Sequence, residues 1–80
     1  MARLVFIGRL EDLAGAAERE LRIDGTVGYD ALLALLDPAL AGEVQRPKVR
    51  LALNGLLVTR DALALTDDDE LAFLPPVSGG

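Results

Sequence analysis

The sequence predicts a small α+β domain: short strands at both ends of the chain, a leucine-rich helical segment between them, and a hairpin ahead of the last strand. Three observations carry this. The apolar runs Leu4-Val5-Phe6-Ile7 and Leu71-Ala72-Phe73-Leu74 have strand length and stop at Gly8 and at Pro75-Pro76. Tyr29, Leu32, Leu33 and Leu36 fall at i, i+3, i+4 and i+7, one face of a helix. Asn54-Gly55, between apolar runs, is the strongest short hairpin signal a sequence offers. Eighty residues, 51% of them hydrophobic, make one domain with enough apolar material for a single core.

The elements follow in order. Arg3 to Ile7 reads as the first strand, closed by Gly8. Leu10, Leu13 and Ala14 have helical spacing and Gly15 suits a C-cap, which predicts one helical turn. Glu18 to Asp24 alternates polar and apolar with Leu21 and Ile23 inward, the pattern of a half-exposed edge strand ending at the Asp24-Gly25 turn. Strands one and two then form an antiparallel hairpin around the short helix. Thr26 is placed to cap a helix over Val27 to Leu36. Pro38 disfavours helical geometry at Asp37 and ends that helix, while the same pair suits the start of a second one over Pro38 to Val44. Val49 to Leu53 is a third strand, with Val49, Leu51 and Leu53 on one face, and Leu56 to Val58 a short fourth beyond the Asn54-Gly55 turn. Asp61 to Leu65 reads as a connecting turn of 3₁₀ character, and the acidic run Asp67 to Glu70 as a solvated turn before the final strand.

Composition excludes several kinds of function. A formal net charge of −5 disfavours nucleic acid and anionic membranes as partners and suits basic protein surfaces. Without cysteine or histidine the chain has no thiolate nucleophile, no disulfide and no imidazole base or ligand. The four-residue acidic run is too short for a calcium loop, whose ligands spread over about twelve residues, and no metal site is expected. No Gly-rich phosphate loop occurs, so ATP is not expected to bind this chain alone. No signal peptide or membrane span is visible, and the chain reads as a cytoplasmic protein without catalytic side chains.

The chemistry is carried by the end of the chain. Pro75 and Pro76 end strand pairing and stiffen the exit, and the side-chain-poor segment Val77-Ser78-Gly79-Gly80 follows. Residues 1–75 therefore read as the folded domain and 76–80 as an extended tail reaching roughly 16 to 18 Å beyond the sheet. The Gly80 carboxylate is the one reactive group at its tip, and two glycines make the narrowest thread into another protein's active site. The stretch Leu65 to Gly80, with its ending Phe73-Leu74-Pro75-Pro76-Val77-Ser78-Gly79-Gly80, resembles the C-terminus of the molybdopterin synthase small subunit family, ubiquitin-like sulfur carriers that end in Phe-Pro-Pro-Val-(Ser/Thr)-Gly-Gly. The resemblance extends through Asn54-Gly55 back to Leu13-Ala14-Gly15 and Leu4-Val5-Phe6. Leu74 replaces a second Phe common in the family, and Asp68 a common Gly.

The resemblance implies a ubiquitin-like β-grasp: a mixed sheet of about five strands on one main helix, first and last strands adjacent and parallel at its centre. It also implies a reaction. An ATP-dependent adenylating enzyme of the ubiquitin-activating type activates the Gly80 carboxylate, and a sulfur donor protein supplies the sulfur that replaces AMP. The resulting thiocarboxylate enters the large subunit of molybdopterin synthase, whose side chains transfer sulfur to a pterin precursor. Gly80, with Gly79 beside it, carries the chemistry. Thiamine and thionucleoside pathways, covalent modification of other proteins, and a plain interaction module are the alternatives.

In such a fold only one sheet face is covered, so the central strands should alternate. With Leu4, Phe6, Leu71 and Phe73 facing the helix, Val5, Ile7, Ala72 and Leu74 form an apolar patch on the open face, with Arg3 on the same parity and Leu57 beside it. Such a patch marks a partner surface. Ile7, Leu57 and Leu74 are expected to bind the large subunit together with Pro75, Pro76, Val77 and Ser78 at the tail.

Overall fold

The structure, a computed structural model, describes residues 1–76. Along the chain come strand β1 (Ala2–Phe6), helix α1 (Arg9–Ala14), strand β2 (Glu18–Leu21), helices α2 (Tyr29–Ala34) and α3 (Pro38–Val44), and strands β3 (Arg50–Leu53), β4 (Leu56–Val58) and β5 (Glu70–Leu74). The strands make one mixed sheet in the order β2-β1-β5-β3-β4. β1 and β5, from opposite ends of the chain, are parallel neighbours at its centre, with Leu4 opposite Leu71 and Phe6 opposite Phe73. All other pairings are antiparallel. This is the ubiquitin-like β-grasp arrangement.

The alternation in the two central strands builds the core. Leu4, Phe6, Leu71 and Phe73 are all buried, and the Phe6 and Phe73 rings stack with centroids 5.3 Å apart. The helical layer supplies Leu10, Leu32, Leu40 and Val44, and no charged side chain is buried among the described residues. At roughly 1.5 to 3 kcal/mol for each fully buried large apolar side chain, this cluster dominates the stability of so small a domain.

The helical layer is divided more finely than the sequence pattern suggests. A helix was expected over Val27 to Leu36, capped by Thr26; α2 covers Tyr29–Ala34 and starts from Gly28. Val27 instead pairs with Leu65, its N–H and C=O engaged at 3.0 and 2.9 Å. That extended backbone cannot also turn into helix. The Tyr29, Leu32, Leu33, Leu36 stripe still faces the core, with Leu32 fully buried and the other three partly so. α3 takes up the expected Pro38 to Val44, with Pro38 in its first turn, and contributes Leu40, Ala41 and Val44 to the interior. Two short helices thus share the cover expected of one main helix, because Pro38 breaks the run where the pattern says it should.

Other boundaries move by small steps with identifiable causes. β1 begins one residue early and ends at Phe6, since the Ile7 carbonyl accepts from Leu10 N–H at 3.3 Å in the turn into α1. β2 stops at Leu21 rather than Asp24, yet Ile23 is buried, its N–H donating to the Asp67 carboxylate at 2.8 Å. In the Asp61 to Leu65 connection, Ala62 and Leu63 donate to the carbonyls of Thr59 and Arg60, the three-residue spacing of 3₁₀ structure. The β3–β4 hairpin turns through Asn54 (φ 50) and Gly55 (φ 86), both left-handed, as a type I′ turn requires.

The acidic run is not merely a solvated turn. Asp67 also holds the amino terminus at 3.2 Å. Asp69 accepts from the Thr66 N–H at 2.8 Å and from the Asn54 amide at 2.9 Å, while Asn54 Oδ1 accepts from the Glu70 N–H at 2.9 Å. Glu70 pairs with Arg3. Only Asp68 of the four is exposed; the others tie the start of β5 to the amino terminus, to β1, to Ile23 beyond β2 and to the hairpin.

Candidate functional site: the open sheet face and the root of the tail

The parity that buries Leu4, Phe6, Leu71 and Phe73 turns Arg3 and Val5 of β1, and Glu70, Ala72 and Leu74 of β5, to the opposite face. The register then assembles a row across four strands: Val5 opposite Ala72, Ala72 opposite Ala52, Ala52 opposite Leu57. One step toward the tail, Leu74 stands opposite Arg50 on β3. Val5, Ala52, Ala72 and Leu74 are half-buried, whereas Ile7 and Leu57 are 43% and 64% exposed. The result is an apolar band bounded on one side by charge. Arg3 bridges Glu18 at 3.5 Å and Glu70, and these carboxylates raise its guanidinium above its ordinary value.

Of the residues expected to meet a partner, Ile7, Leu74 and Pro75 come together at the end of the two central strands. Pro75 is half-buried and Pro76 exposed. Leu57 lies on the same face but two strands away from β5, roughly 10 Å by sheet spacing, so it marks the far end of the band. Val77, Ser78, Gly79 and Gly80 lie outside the described residues. Ala52 joins the band although the sequence reading did not single it out; its signal was its position between Leu51 and Leu53. Gly8 was read only as a strand terminator, yet it neighbours the tail root: a Cβ added there would lie 3.4 Å from Pro75 Cγ, ordinary van der Waals contact.

What holds this root in place is electrostatic as well as apolar. The Ile23 N–H, and after it the amino terminus, keep the Asp67 carboxyl below its usual range. The Asn54 amide, followed by the Thr66 N–H, does the same for Asp69. Both therefore stay ionised at neutral pH and fix where β5 begins, hence where it delivers Leu74 and Pro75. Among the described residues no group of three or more His, Cys, Asp or Glu side chains is arranged to hold a metal ion, and no helix is long and apolar enough to cross a membrane. The arrangement offers an apolar band and a proline-stiffened exit for the chain, with no nucleophile–base pair among the described residues.

Comparison with known proteins agrees with this layout. The molybdopterin synthase sulfur carrier subunit of Escherichia coli (strain K12) is 34% identical over 83 residues, covering 100% of both chains. The crystal structure of SAMP1, a small archaeal modifier protein from Haloferax volcanii, superposes with a TM-score of 0.77 at 28% identity, covering 99% of this chain and 98% of that one. Subunits 1 and 2 of molybdopterin-converting factor from Helicobacter pylori 26695, solved as a protein–protein complex, include a chain similar in fold, with a TM-score of 0.66 at 23% identity and coverage of 99% and 97%. The sequence profile of the ThiS family matches residues 4–80, from the first central strand through the Gly-Gly end. The chain belongs to the ThiS family.

Proposed function

We propose that this protein is the sulfur carrier of a molybdopterin synthase. The observation that supports this most directly is the end-to-end 34% identity with the molybdopterin synthase sulfur carrier subunit of Escherichia coli. The geometry fits the role. An apolar band beside the root of the tail suits docking, and the two prolines end strand pairing where the tail begins.

In the proposed cycle the Gly80 carboxylate attacks the α-phosphate of ATP on an adenylating partner, releasing pyrophosphate. Sulfur from a donor protein displaces AMP to leave a thiocarboxylate. The large subunit binds the band and takes in the tail, and its side chains assist as the sulfur attacks the pterin precursor. Hydrolysis of the acyl link returns the carboxylate. In this reading the chain binds ATP and metal only through its partners, and a cycle that draws on ATP and a sulfur donor belongs in the cytoplasm. The likeness to SAMP1 favours a second reading, in which activated Gly80 is joined to lysines of other proteins.

Intact-mass analysis after incubation with the adenylating enzyme, ATP and a sulfur donor tests the proposal. Exchange of one terminal oxygen for sulfur, followed by its loss as a dithiolene forms on the pterin precursor, is the expected result. Isopeptide conjugates without any thiocarboxylate establish the second reading instead.

A further inference from the structure

We infer that Arg50, at the start of β3, orients docking on the large subunit: with Lys48 beside it, it meets acidic side chains of that partner next to the root of the tail. The inference rests on the sulfur-carrier reading and adds to it a charged contact at one end of the apolar band.

The sheet register distributes charge unevenly over the open face. At the end where β1 and β5 begin, Arg3 stands between Glu20 and Glu70 of the neighbouring strands, with Glu18 next to Glu20 on the same face of β2. Asp68, exposed, lines a hollow with Arg3, Glu20 and Glu70. Four carboxylates around one guanidinium leave that end acidic. At the other end Arg50 stands opposite Leu74, beside the Pro75 exit. Leu74 lies four residues beyond Glu70 in β5, about 13 Å along the strand. That exceeds the roughly 8 Å over which charges act at physiological salt, so a partner meets the two ends separately. The net charge of −5 therefore describes the far end of this face and not the end that bears the tail root.

Other cations near the tail root are used within the fold. Arg46 bridges Glu43 at 3.4 Å. Arg60 donates to the Arg46 carbonyl at 2.6 Å, and its guanidinium lies 5.2 Å from the centroid of the Tyr29 ring on α2. Arg50 and Lys48 are exposed and join no ion pair among the described residues. Val49 between them is buried, and its N–H donates to the Arg46 carbonyl at 3.0 Å, which fixes the backbone that carries both charges. An apolar band that ends on two fixed, unpaired cations fits a partner surface whose apolar patch ends on carboxylates. Charges at the edge of an interface act mainly on encounter rate and orientation.

The test measures association of the full-length chain with the large subunit by stopped flow at about 0.01 M and about 0.15 M salt, with thermal unfolding in parallel. Arg50→Glu is compared with Arg22→Glu, an equal change in net charge at an exposed arginine just past β2, at the opposite end of the sheet. Arg50→Glu is expected to slow association at least about fivefold at low salt, with the gap narrowing at high salt, while Arg22→Glu stays within about twofold of wild type. Equal losses in the two variants show an effect of net charge alone and overturn the inference. Association of Arg50→Glu at or above the wild-type rate overturns it too, as does a loss seen with the adenylating enzyme but not with the large subunit. If Arg50→Glu does not fold, Arg50→Gln/Lys48→Gln, which removes both charges without reversing them, replaces it; slowing of at least about threefold is expected and a wild-type rate overturns the inference. A wild-type chain that does not bind the large subunit refutes the carrier reading itself, a result seen before any variant is compared.

Discussion

Replacing Leu74 by Asp separates docking from folding. In the free domain Leu74 is half-buried at the end of β5 and stands opposite Arg50. An Asp there loses part of a leucine's burial, about 1 kcal/mol for a half-covered side chain. It regains roughly 0.2 to 1 kcal/mol from the cross-strand Arg50. The domain should therefore fold, its unfolding midpoint little changed. In the proposed complex with the large subunit the same carboxylate would enter an apolar interface, and burying it poorly paired costs about 3 to 5 kcal/mol. That corresponds to an affinity weaker by roughly 10²- to 10⁴-fold. Calorimetric titration against the large subunit, with circular dichroism melts of the free variant, measures both quantities. Affinity within threefold of wild type would show that the band is not the docking surface. Loss of cooperative unfolding would show that Leu74 belongs to the core and that the face assignment fails. Ile7→Asp, outside the sheet ladder and 43% exposed, should behave in the same way.

Three further outcomes follow from the same geometry. Deleting Gly80, or appending one residue after it, should abolish sulfur loading or delivery with no shift in melting temperature; one residue moves the reacting carbon by about 3.5 Å, so a chain ending at Gly79 that delivers sulfur at the native rate refutes the tail chemistry. Phe73→Ala removes a ring stacked on Phe6 inside the core and should cost about 3 to 5 kcal/mol in a urea titration, a large share of a small domain's total stability; a loss below about 1 kcal/mol contradicts the core assignment. Asp67 and Asp69 have folded-state values below the ordinary 3.8, so the unfolded chain takes up protons first on acidification. Their contribution is complete above the ordinary value and is lost as pH falls through the depressed ones; urea midpoints should drop more steeply below about pH 4 in wild type than in Asp67→Asn/Asp69→Asn, and parallel curves would refute the role of these contacts.

The sequence alone determined whatever depends on near neighbours. Asn54-Gly55 specifies its turn because both residues tolerate the left-handed backbone that a two-residue hairpin demands. Pro38 specifies where one helix stops and the next begins. The two-residue period of a strand sorts Leu71 and Phe73 from Ala72 and Leu74 before any partner strand is known, and the Pro75-Pro76 break marks where strand pairing stops. Contacts between distant segments were decided elsewhere. Thr26 and Val27 have the look of a helix start, but pairing of Val27 with Leu65, 38 positions away in the chain, holds them extended. Asp67 and Asp69 look like solvated charge until Ile23, Asn54 and the amino terminus arrive beside them. Gly8 looks like a strand end, and Pro75 neighbours it only because β1 and β5 leave the sheet side by side. Backbone preference and periodicity act over a few residues and are written locally; a hydrogen bond or a van der Waals contact between segments exists only after the sheet has closed and brought them within reach.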